Sequence, residues 1–228
     1  MLHKADFVFL VDSTYSMSAG FDRVRESIKR FFASVRAGNS LDCRARVVGF
    51  RDVEADGDDW LIENEFVSDM WDFNQQIDEL ESKGGSGGAE SQLDALYSLC
   101  QWGCVGRGEI ADAKKWRYRN DAYRFVVLVT DSPFKAKTHL AAAPGLSWMD
   151  VANVVMQERL RLSIFAPQMD CYDDLSCLDK CEYMAIPWQA PVLSVAAFMS
   201  DKNNCYCAVL SQLNREDTTV CCDPLDYL

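Results

Sequence analysis

The fold is decided by residues 7–16, which read FVFLVDSTYS. A short apolar run over residues 5–11 predicts a buried β-strand, and it ends directly in a group of oxygen-bearing side chains. A strand that is apolar along its whole length is typical of a parallel sheet, because both faces of such a sheet are covered. In sheets of this class, ligands bind beyond the carboxyl ends of the strands. The polar residues after Val11 are therefore candidates for a binding site.

Strand and helix patterns alternate over the rest of the chain. Strands are predicted at residues 5–11, 46–50, 65–67, 125–130, 161–166 and 192–198. Helices are predicted at residues 21–36, 71–80, 90–102, 148–160, 171–184 and 206–213. This alternation predicts an α/β fold with a doubly wound, mostly parallel sheet, flanked by helices on both faces in a Rossmann-like arrangement. We expect one domain over residues 1–228, with a cysteine-rich portion at about 167–228.

The composition narrows the class of partner. The chain has 228 residues, an apolar fraction of 49% and a formal net charge of −12, so it can bury a core but repels polyanions. Nucleic acid is therefore a poor candidate for a partner. We expect no membrane insertion, because no apolar run reaches the roughly 18–20 residues that cross a bilayer. A cation or a basic partner suits the negative charge, although solubility alone also accounts for it.

Ten cysteines leave the redox environment open. Seven of them lie between Cys171 and Cys222, at spacings that match no standard zinc ribbon or finger. The first residues lack the features of a secretory signal peptide, so we expect a cytoplasmic protein with reduced thiols. Secretion with disulfide bonds is the alternative that the cysteine count supports, and a structural zinc site is another.

The first group of candidate ligands is Asp12, Thr14 and Ser16, which occupy alternate positions after the first strand. One carboxylate and two hydroxyl groups suit a hard cation, and a set of oxygen ligands selects Mg²⁺, Mn²⁺ or Ca²⁺ over zinc. Taken alone, the spacing is more typical of a turn that caps the helix beginning near Phe21. The position of the motif at a strand end favours a metal site.

A second group of candidate ligands is predicted at the same edge of the sheet. Asp131 ends the apolar strand at residues 125–130, and Glu90 starts a helix directly after the glycine-rich residues 84–88. If the strands that precede Asp12 and Asp131 are neighbours, both aspartates point into one crevice. The helix start would then bring Glu90 to the rim of the same crevice.

These residues resemble the motifs of von Willebrand factor type A domains. Residues 7–17 are similar to the first strand and metal-binding motif of that family, and especially to the I-like domains of integrin β-subunits. Residues 47–52 resemble the second strand, and residues 127–131 resemble the strand that carries the final acidic residue. Residues 84–90 resemble the Gly-Gly-x-x-x-Pro-Glu loop of the family, with Ala89 where proline is common. The motifs follow in the order expected for the family.

The resemblance implies a metal-ion-dependent adhesion site. Its ligands would be Asp12, Thr14, Ser16 and Asp131, together with a middle ligand that is either Glu90 or Ser86. Domains with the Pro-Glu form of the loop use the glutamate, which favours Glu90. Domains with a Gly-Gly-x-Thr form use the threonine hydroxyl, and Ser86 carries the nearest hydroxyl in this chain.

The resemblance also implies a single ion. Integrin β domains place two acidic residues shortly after the first motif for an adjacent calcium, but this chain has Ala19 and Gly20 there. We therefore expect one Mg²⁺ ion, or Mn²⁺ or Ca²⁺ in its place. No second site is expected at those two positions.

The function implied by the resemblance is binding and not catalysis. In the family, an Asp or Glu carboxylate of a protein partner displaces water from the metal and completes its coordination. We expect a non-enzymatic, adhesion-like module of this kind. A metal-assisted hydrolase is one alternative, but it needs a general base, and neither His3 nor His139 lies in a recognisable catalytic motif. A structural subunit with a vestigial metal site is the other alternative.

Two further stretches have charge patterns of their own. The acidic residues 52–59 lack the full spacing of an EF-hand, so we expect a solvated loop there, with a calcium site as the alternative. Residues 103–120 are polar and basic and are predicted to form an exposed insertion. Within it, residues 114–119 mix basic and aromatic side chains, which favours an exposed loop or a contact for an acidic partner over a nucleic-acid contact.

Overall fold

A computed structural model describes residues 4–38 and 42–186, which build one six-stranded sheet with helices packed against it. The strands are β1 (Lys4–Asp12), β2 (Asp42–Phe50), β3 (Leu61–Glu63), β4 (Ala122–Val129), β5 (Leu160–Pro167) and β6 (Cys181–Ile186). Their order in the sheet is β3-β2-β1-β4-β5-β6. Only β3 runs antiparallel to its neighbour; the other pairings are parallel. The predicted α/β fold with a mostly parallel sheet is confirmed.

The described part of the chain contains six α-helices. They are α1 (Phe21–Gly38), α2 (Val53–Asp56), α3 (Met70–Asp78), α4 (Gln92–Cys100), α5 (Trp148–Gln157) and α6 (Asp170–Ser176). Two short 3-10 helices, Tyr15–Gly20 and Gly57–Trp60, follow β1 and α2. None of the helices in residues 4–38 and 42–186 is long and apolar enough to cross a membrane.

Alternate residues of β1 enter two separate hydrophobic clusters. The rings of Phe7 and Phe9 pack against the ring of Phe32 on α1, with centroid distances of 5.8 and 5.9 Å. Val8 and Leu10 belong to the other cluster, together with residues of α4 and α5. All four side chains of β1 are fully buried. Burial of both faces holds β1 in place and fixes the position of the loop that follows it.

The register of the parallel strands aligns their carboxyl ends. Val11 of β1 pairs with Val129 of β4, and Asp12 pairs with Phe50 of β2. The loops after β1, β2 and β4 therefore leave the sheet at the same edge. Asp131 follows β4 by two residues, so it reaches the edge where Asp12 lies.

The predicted helix at residues 171–184 is wrong in its second half. The helix α6 ends at Ser176, and residues Cys181–Ile186 form β6, which pairs with β5. Between them Lys180 has a φ of 62°, in the left-handed region that serves a turn. The unpaired hydrogen-bonding groups along the edge of β5 favour an added strand, and a local helix pattern does not reveal such a tertiary partner.

The predicted short strand at residues 65–67 is displaced along the chain. The strand that pairs with β2 is β3, and Val67 makes only an isolated bridge with Ala45. The strand predicted at residues 192–198 and the helix predicted at residues 206–213 lie outside the described residues.

Residues 103–120 are mostly exposed, as the sequence predicts, but Trp116 and Arg117 are buried within the fold. Trp116 is fully buried, with its ring centroid 5.5 Å from that of Trp102. Arg117 is also buried, and its Nε donates to Asp6 Oδ1 at 2.5 Å. Since Asp6 is fully buried at the start of β1, it needs cationic partners from elsewhere in the chain. Trp116 and Arg117 therefore support the fold, whereas Lys114, Lys115 and Arg119 of the same segment are exposed.

The cysteines within the described ranges are free thiols. They are Cys43, Cys100, Cys104, Cys171, Cys177 and Cys181. Burial raises the pKa of the Cys100 thiol to about 12, so this side chain remains protonated and packs as a small apolar group. The remaining cysteines, Cys205, Cys207, Cys221 and Cys222, lie outside the described residues.

Candidate metal centre

Four of the predicted ligands are joined by one chain of hydrogen bonds. The Thr14 hydroxyl donates to Asp12 Oδ1 at 2.6 Å, and its oxygen lies 3.0 Å from the Ser16 hydroxyl oxygen. The Ser16 hydroxyl donates to Asp131 Oδ1 at 2.8 Å. Side chains therefore connect the loop after β1 to the loop after β4. The structure brings Asp12, Thr14, Ser16 and Asp131 together at the carboxyl edge of the sheet.

Asp12 is fully buried at the end of β1. Its Oδ1 also accepts from the Thr14 N–H at 3.0 Å, and its Oδ2 accepts from the Thr130 hydroxyl at 2.6 Å. Burial and the charge of Asp131 raise the pKa of Asp12 to about 6, although the hydrogen bonds from Thr14 and Thr130 oppose the shift. The carboxyl group is thus held in one orientation by neutral donors.

Glu90 reaches the same site through backbone pairing. Its N–H donates to Pro133 O at 2.9 Å, and its carbonyl accepts from the Lys135 N–H at 3.0 Å. Glu90 is 1% exposed, and its Oε2 has no hydrogen-bond donor among the described residues. Burial and the charge of Asp12 raise the pKa of Glu90 to about 8. A buried carboxyl oxygen without a donor is unfavourable, and a bound water molecule or cation would stabilise it.

The glycine-rich loop closes over Thr14 and Glu90. Its Gly84 carbonyl accepts from the Tyr15 N–H at 3.0 Å. The next residue, Gly85, has a φ of +84°, and a Cβ there would lie 2.9 Å from Thr14 Cβ and 3.0 Å from Glu90 Oε1. Both the backbone conformation and the lack of space exclude a side chain at this position. Glycine therefore allows the loop to pass between Thr14 and Glu90.

Ser86, the alternative middle ligand, is placed differently from Glu90. It is exposed, and its hydroxyl lies near the carboxyl group of Asp52. Burial raises the pKa of Asp52, but the Lys135 ammonium and the Ser86 hydroxyl more than offset this effect and lower it. Within the described residues, Glu90 is the buried candidate, and the Ser86 hydroxyl does not join the chain of hydrogen bonds from Asp12 to Asp131.

The donor chemistry of the site fits a hard cation. Thr14 and Ser16 have two hydroxyl protons for three contacts, two with carboxylates and one between their own oxygens. With both carboxylates ionised, one of the three contacts lacks a proton, and a cation would stabilise the oxygens that face each other there. Among residues 4–38 and 42–186, no group of three or more His, Cys, Asp or Glu side chains is arranged to hold a metal. Hydroxyl oxygens would therefore have to supply part of the coordination.

Sequence reasoning missed a group of ion pairs beside these residues. Lys135 Nζ lies 2.5 Å from Asp52 Oδ1 and 2.7 Å from Glu54 Oε2. His139 Nδ1 lies 3.1 Å from the other oxygen of Glu54, Oε1. The one available signal was the lysine itself, which follows the Asp131 motif closely in an acidic chain.

The acidic residues 52–59 are mostly exposed, as the sequence predicts, but they form α2 and the start of a 3-10 helix instead of an irregular loop. Asp52 is 1% exposed, and its Oδ1 accepts from the Glu54 N–H at 2.9 Å, which caps α2. Asp56 Oδ2 accepts from the Gly85 N–H at 2.9 Å. These carboxylates therefore order the loop beside the glycine-rich segment.

The described fold resembles parts of two larger proteins of known structure. One is the pilus adhesin SpaC from Lactobacillus rhamnosus GG, with a TM-score of 0.58 and 13% identity over 91% of this chain and 31% of SpaC. The open conformation of SpaC gives a TM-score of 0.55 and 12% identity over 92% of this chain and 30% of that one. The other is proximal thread matrix protein 1 of the mussel byssus, with a TM-score of 0.54 and 12% identity over 89% of this chain and 49% of that protein.

These similarities show the fold alone, because sequence identities of 12–13% do not carry a function from one protein to another. This chain also spans only 30–49% of the length of those proteins. No protein-family model and no curated protein sequence matches the chain. The function therefore has to be argued from the residues of the site.

Proposed function

We propose that this chain is a von Willebrand factor type A module that binds an acidic residue of a protein partner through one divalent cation. The residues that would hold the ion are Asp12, Thr14, Ser16, Glu90 and Asp131. The ion would be Mg²⁺ or, in its place, Mn²⁺ or Ca²⁺. When bound, it supplies a concentrated positive charge with coordination positions left for a carboxylate of the partner.

The state of Glu90 carries this proposal. Its Oε2 is buried without a donor among the described residues, and the nearby charge of Asp12 contributes to its raised pKa. A shared cation would relieve the repulsion between the two carboxylates and satisfy the free oxygen. A purely structural pair of carboxylates would more simply be neutralised by Arg or Lys, as the chain does at Asp6.

The residues of the chain have defined tasks in this proposal. Thr130 orients the Asp12 carboxyl group, and Gly85 leaves space for Thr14 and Glu90 to approach each other. Tyr15 lies between Thr14 and Ser16 in the segment after β1. Its side chain is 72% exposed and offers an aromatic contact to a partner. Because the chain has a net charge of −12, an acidic partner would be repelled without the ion.

We also infer that the sheet is doubly wound, with helices on both faces. The two clusters that alternate residues of β1 enter contain side chains of α1 and α3 in one case and of α4, α5 and α6 in the other. This arrangement is the usual one for a parallel sheet whose strands are continuously apolar. One of the proteins with a similar fold is named as a pilus adhesin, in keeping with a binding role for this chain.

Metal binding is tested first by thermal unfolding in Mg²⁺ and in EDTA. A ligand that binds only the folded state raises its melting temperature, so Mg²⁺ is expected to stabilise the wild type. The stabilisation should be lost in Asp12→Asn. Asp22→Asn is the matched control, because its side chain is 89% exposed on α1 and lies outside the site. Equal stabilisation of the wild type and Asp12→Asn would contradict the proposal.

Partner chemistry is tested with immobilised peptides. Each peptide carries a central Asp or Glu, and its matched twin carries Asn or Gln. The wild type is expected to bind a subset of the acidic peptides in Mg²⁺. It should not bind them in EDTA, and it should not bind the matched amide peptides in either buffer. Asp12→Ala should not bind the acidic peptides even in Mg²⁺. Binding that survives EDTA and Asp12→Ala would contradict the proposal.

A further inference from the structure

The strand β3 lies at one edge of the sheet, next to β2. Its register with β2 continues to Arg51, whose N–H donates to the Trp60 carbonyl at 2.7 Å. Since bonded and non-bonded pairs alternate along antiparallel strands, this bond places Ile62 in a bonded pair and its two neighbours in non-bonded pairs. The backbone groups of those neighbours, Leu61 and Glu63, therefore point away from β2. Within residues 4–38 and 42–186 they have no hydrogen-bond partner.

A cavity of about 300 Å³ lies beside this open edge. Its apolar lining consists of Leu61, Ile62 and Leu80. Gly49 makes room for Leu80, because a Cβ at that position would clash with Leu80 Cδ1. Leu80 is buried, whereas Leu61 and Ile62 are partly exposed. Unpaired backbone groups beside an apolar cavity are the combination that receives an added strand, with one of its side chains in the cavity.

The charged residues that line the cavity are mostly acidic. They are Asp58, Asp59, Glu79 and Glu81, with Arg51 and Lys83 as the two cations, which leaves an excess of two negative charges. Both cations already have partners: Arg51 donates to the Asp59 carbonyl at 2.8 Å, and Lys83 Nζ lies 3.2 Å from Glu81 Oε2. Asp58, Asp59 and Glu79 form no ion pair with another described residue. The exposed rim of the cavity therefore favours a basic side chain.

Charge also separates the kinds of chain that might pair with this edge. A second copy would bring its own acidic rim against the first, and like charges across an interface repel. Residues 187–228 of the chain hold five acidic and two basic side chains, so they carry the same sign of charge. They also follow β6, which is the edge of the sheet opposite β3. A basic segment of another protein is the complementary occupant.

We propose that the edge of β3 binds an extended basic segment of a protein partner, which adds to the sheet as a further strand and places a Lys or Arg side chain in the cavity. The outward backbone groups of Leu61 and Glu63 supply the hydrogen bonds, and the acidic rim selects the basic side chain. This surface goes beyond the proposed function and does not depend on it. None of the side chains that would hold the ion lines the cavity, so this binding needs no metal.

The test selects peptides from a random library displayed on phage, with the full chain as bait in EDTA. EDTA removes divalent ions, so acidic peptides that need the candidate metal centre are not selected. Peptides with Lys or Arg between apolar residues are expected to be enriched. In the complex with such a peptide, amide hydrogen exchange should slow at Leu61 and Glu63, with the amide of Ile62, which faces β2, as the internal reference.

Asp59→Arg reverses the charge of an exposed side chain at the cavity and keeps the backbone carbonyl that Arg51 binds. It is expected to weaken binding of the selected peptides by about tenfold or more, because like charges would then meet. Asp22→Arg is the matched control, since it changes the net charge equally at a side chain on α1 that is 89% exposed. It should bind like the wild type. Glu63→Pro removes an outward N–H at an edge where proline is tolerated, and it should also weaken binding.

Failure to enrich basic peptides would overturn the proposal, as would equal affinities of the wild type and Asp59→Arg. If Glu63→Pro does not fold, hydrogen exchange in the wild type decides the point, and unchanged exchange at Leu61 and Glu63 would overturn the added strand. Self-association of the wild type that Asp59→Arg abolishes would overturn it in favour of a second copy. These outcomes leave the proposed metal site untouched, because thermal unfolding in Mg²⁺ tests that site separately.

Discussion

The two ends of β1 each carry a fully buried aspartate, and the chain treats them in opposite ways. At the amino end, Asp6 Oδ1 accepts from Arg44 and Arg117 at 2.8 and 2.5 Å, and Oδ2 accepts from the Arg44 guanidinium and the Arg117 N–H at 2.9 and 2.8 Å. At the carboxyl end, the donors to Asp12 among the described residues are Thr14 and Thr130, and the charges of Asp131 and Glu90 act on it or are acted on by it. One carboxylate is neutralised by the protein, whereas the other remains surrounded by like charge.

In the proposed function, the amino end of the strand supports stability and the carboxyl end binds a ligand. A buried carboxylate with two bonded guanidinium groups has no unsatisfied charge to offer. A buried carboxylate beside two others raises the energy of the ligand-free protein and is relieved when a cation binds. The two ends should therefore respond differently to mutation, to metal and to pH.

The largest effect is expected from removing the charge partner of Asp6. Arg117→Met should lower the free energy of unfolding by about 3–5 kcal/mol, because it leaves a buried carboxylate with an incomplete set of donors. Mg²⁺ should not reduce this loss relative to the wild type. The measurement is urea unfolding, with Arg119→Met as the control, since Arg119 is exposed in the same segment. A loss below about 1 kcal/mol would put the contrast in doubt.

At the carboxyl end of β1, the substitution Asp12→Asn should change stability through the loss of the bound ion. In EDTA, Asp12→Asn is expected to leave the free energy of unfolding unchanged or to raise it, because it removes one of several buried like charges. In Mg²⁺ it should lose the stabilisation of the wild type, which is about 2.7 kcal/mol when the ion concentration is a hundred times the dissociation constant. Asp6→Asn should destabilise in both conditions. A loss of stability by Asp12→Asn in EDTA that equals that of Asp6→Asn would remove the distinction.

The pH dependence of the free energy of unfolding should also differ in the presence and in the absence of metal. In the folded state the pKa of Asp12 is raised to about 6 and that of Glu90 to about 8, above their ordinary values of 3.8 and 4.5. The folded state therefore holds more protons than the unfolded state between these limits, and stability in EDTA should fall as pH rises from 4 towards 8. The slope is at most about 1.4 kcal/mol per pH unit for each proton.

Saturating Mg²⁺ should remove this fall, because the ion binds the deprotonated carboxylates. Glu90→Gln should remove the part of the slope nearest pH 8 in EDTA. Urea unfolding at several pH values measures both effects, with Glu81→Gln as the control, since the Glu81 side chain is 71% exposed. Stability that rises between pH 6 and 8 in EDTA would contradict the raised pKa values.

The smallest effect is expected from the glycine-rich loop. Gly85→Ala and Gly87→Ala both place a side chain at positive φ, which costs roughly 1–2 kcal/mol in either case. Only at Gly85 does the added Cβ meet Thr14 and Glu90, whereas nothing lies within 4 Å of it at Gly87. Gly85→Ala should therefore weaken Mg²⁺ binding, and Gly87→Ala should not. Equal Mg²⁺ affinities for the two variants would show that the loop does not shape the site.

Much of the fold could be predicted from local pattern. The apolar runs around Val8 and Val127 identify two central strands, and the polar residues directly after them identify the edge where Asp12 and Asp131 meet. These features are readable because a strand that is buried on both faces must be apolar throughout. The α/β class and the neighbouring positions of the first motif and Asp131 follow from the same rule.

The remaining features depend on partners that are distant in the chain. The strand β6 forms because β5 has an open edge, and Arg117 is buried because it pairs with Asp6. The link from Lys135 to Asp52 joins residues that are 83 positions apart. No local periodicity encodes such a contact, because an ion pair is defined by the folded geometry and not by spacing.

In the proposed function, Asp12, Thr14, Ser16, Glu90 and Asp131 enclose one divalent cation. The most direct test of this site is a crystal structure of the wild type grown in Mn²⁺, with anomalous diffraction data collected to locate the metal. We expect one anomalous peak among these five side chains and none beside Asp6. An empty site at saturating Mn²⁺, or a peak only elsewhere on the molecule, would contradict the proposed function.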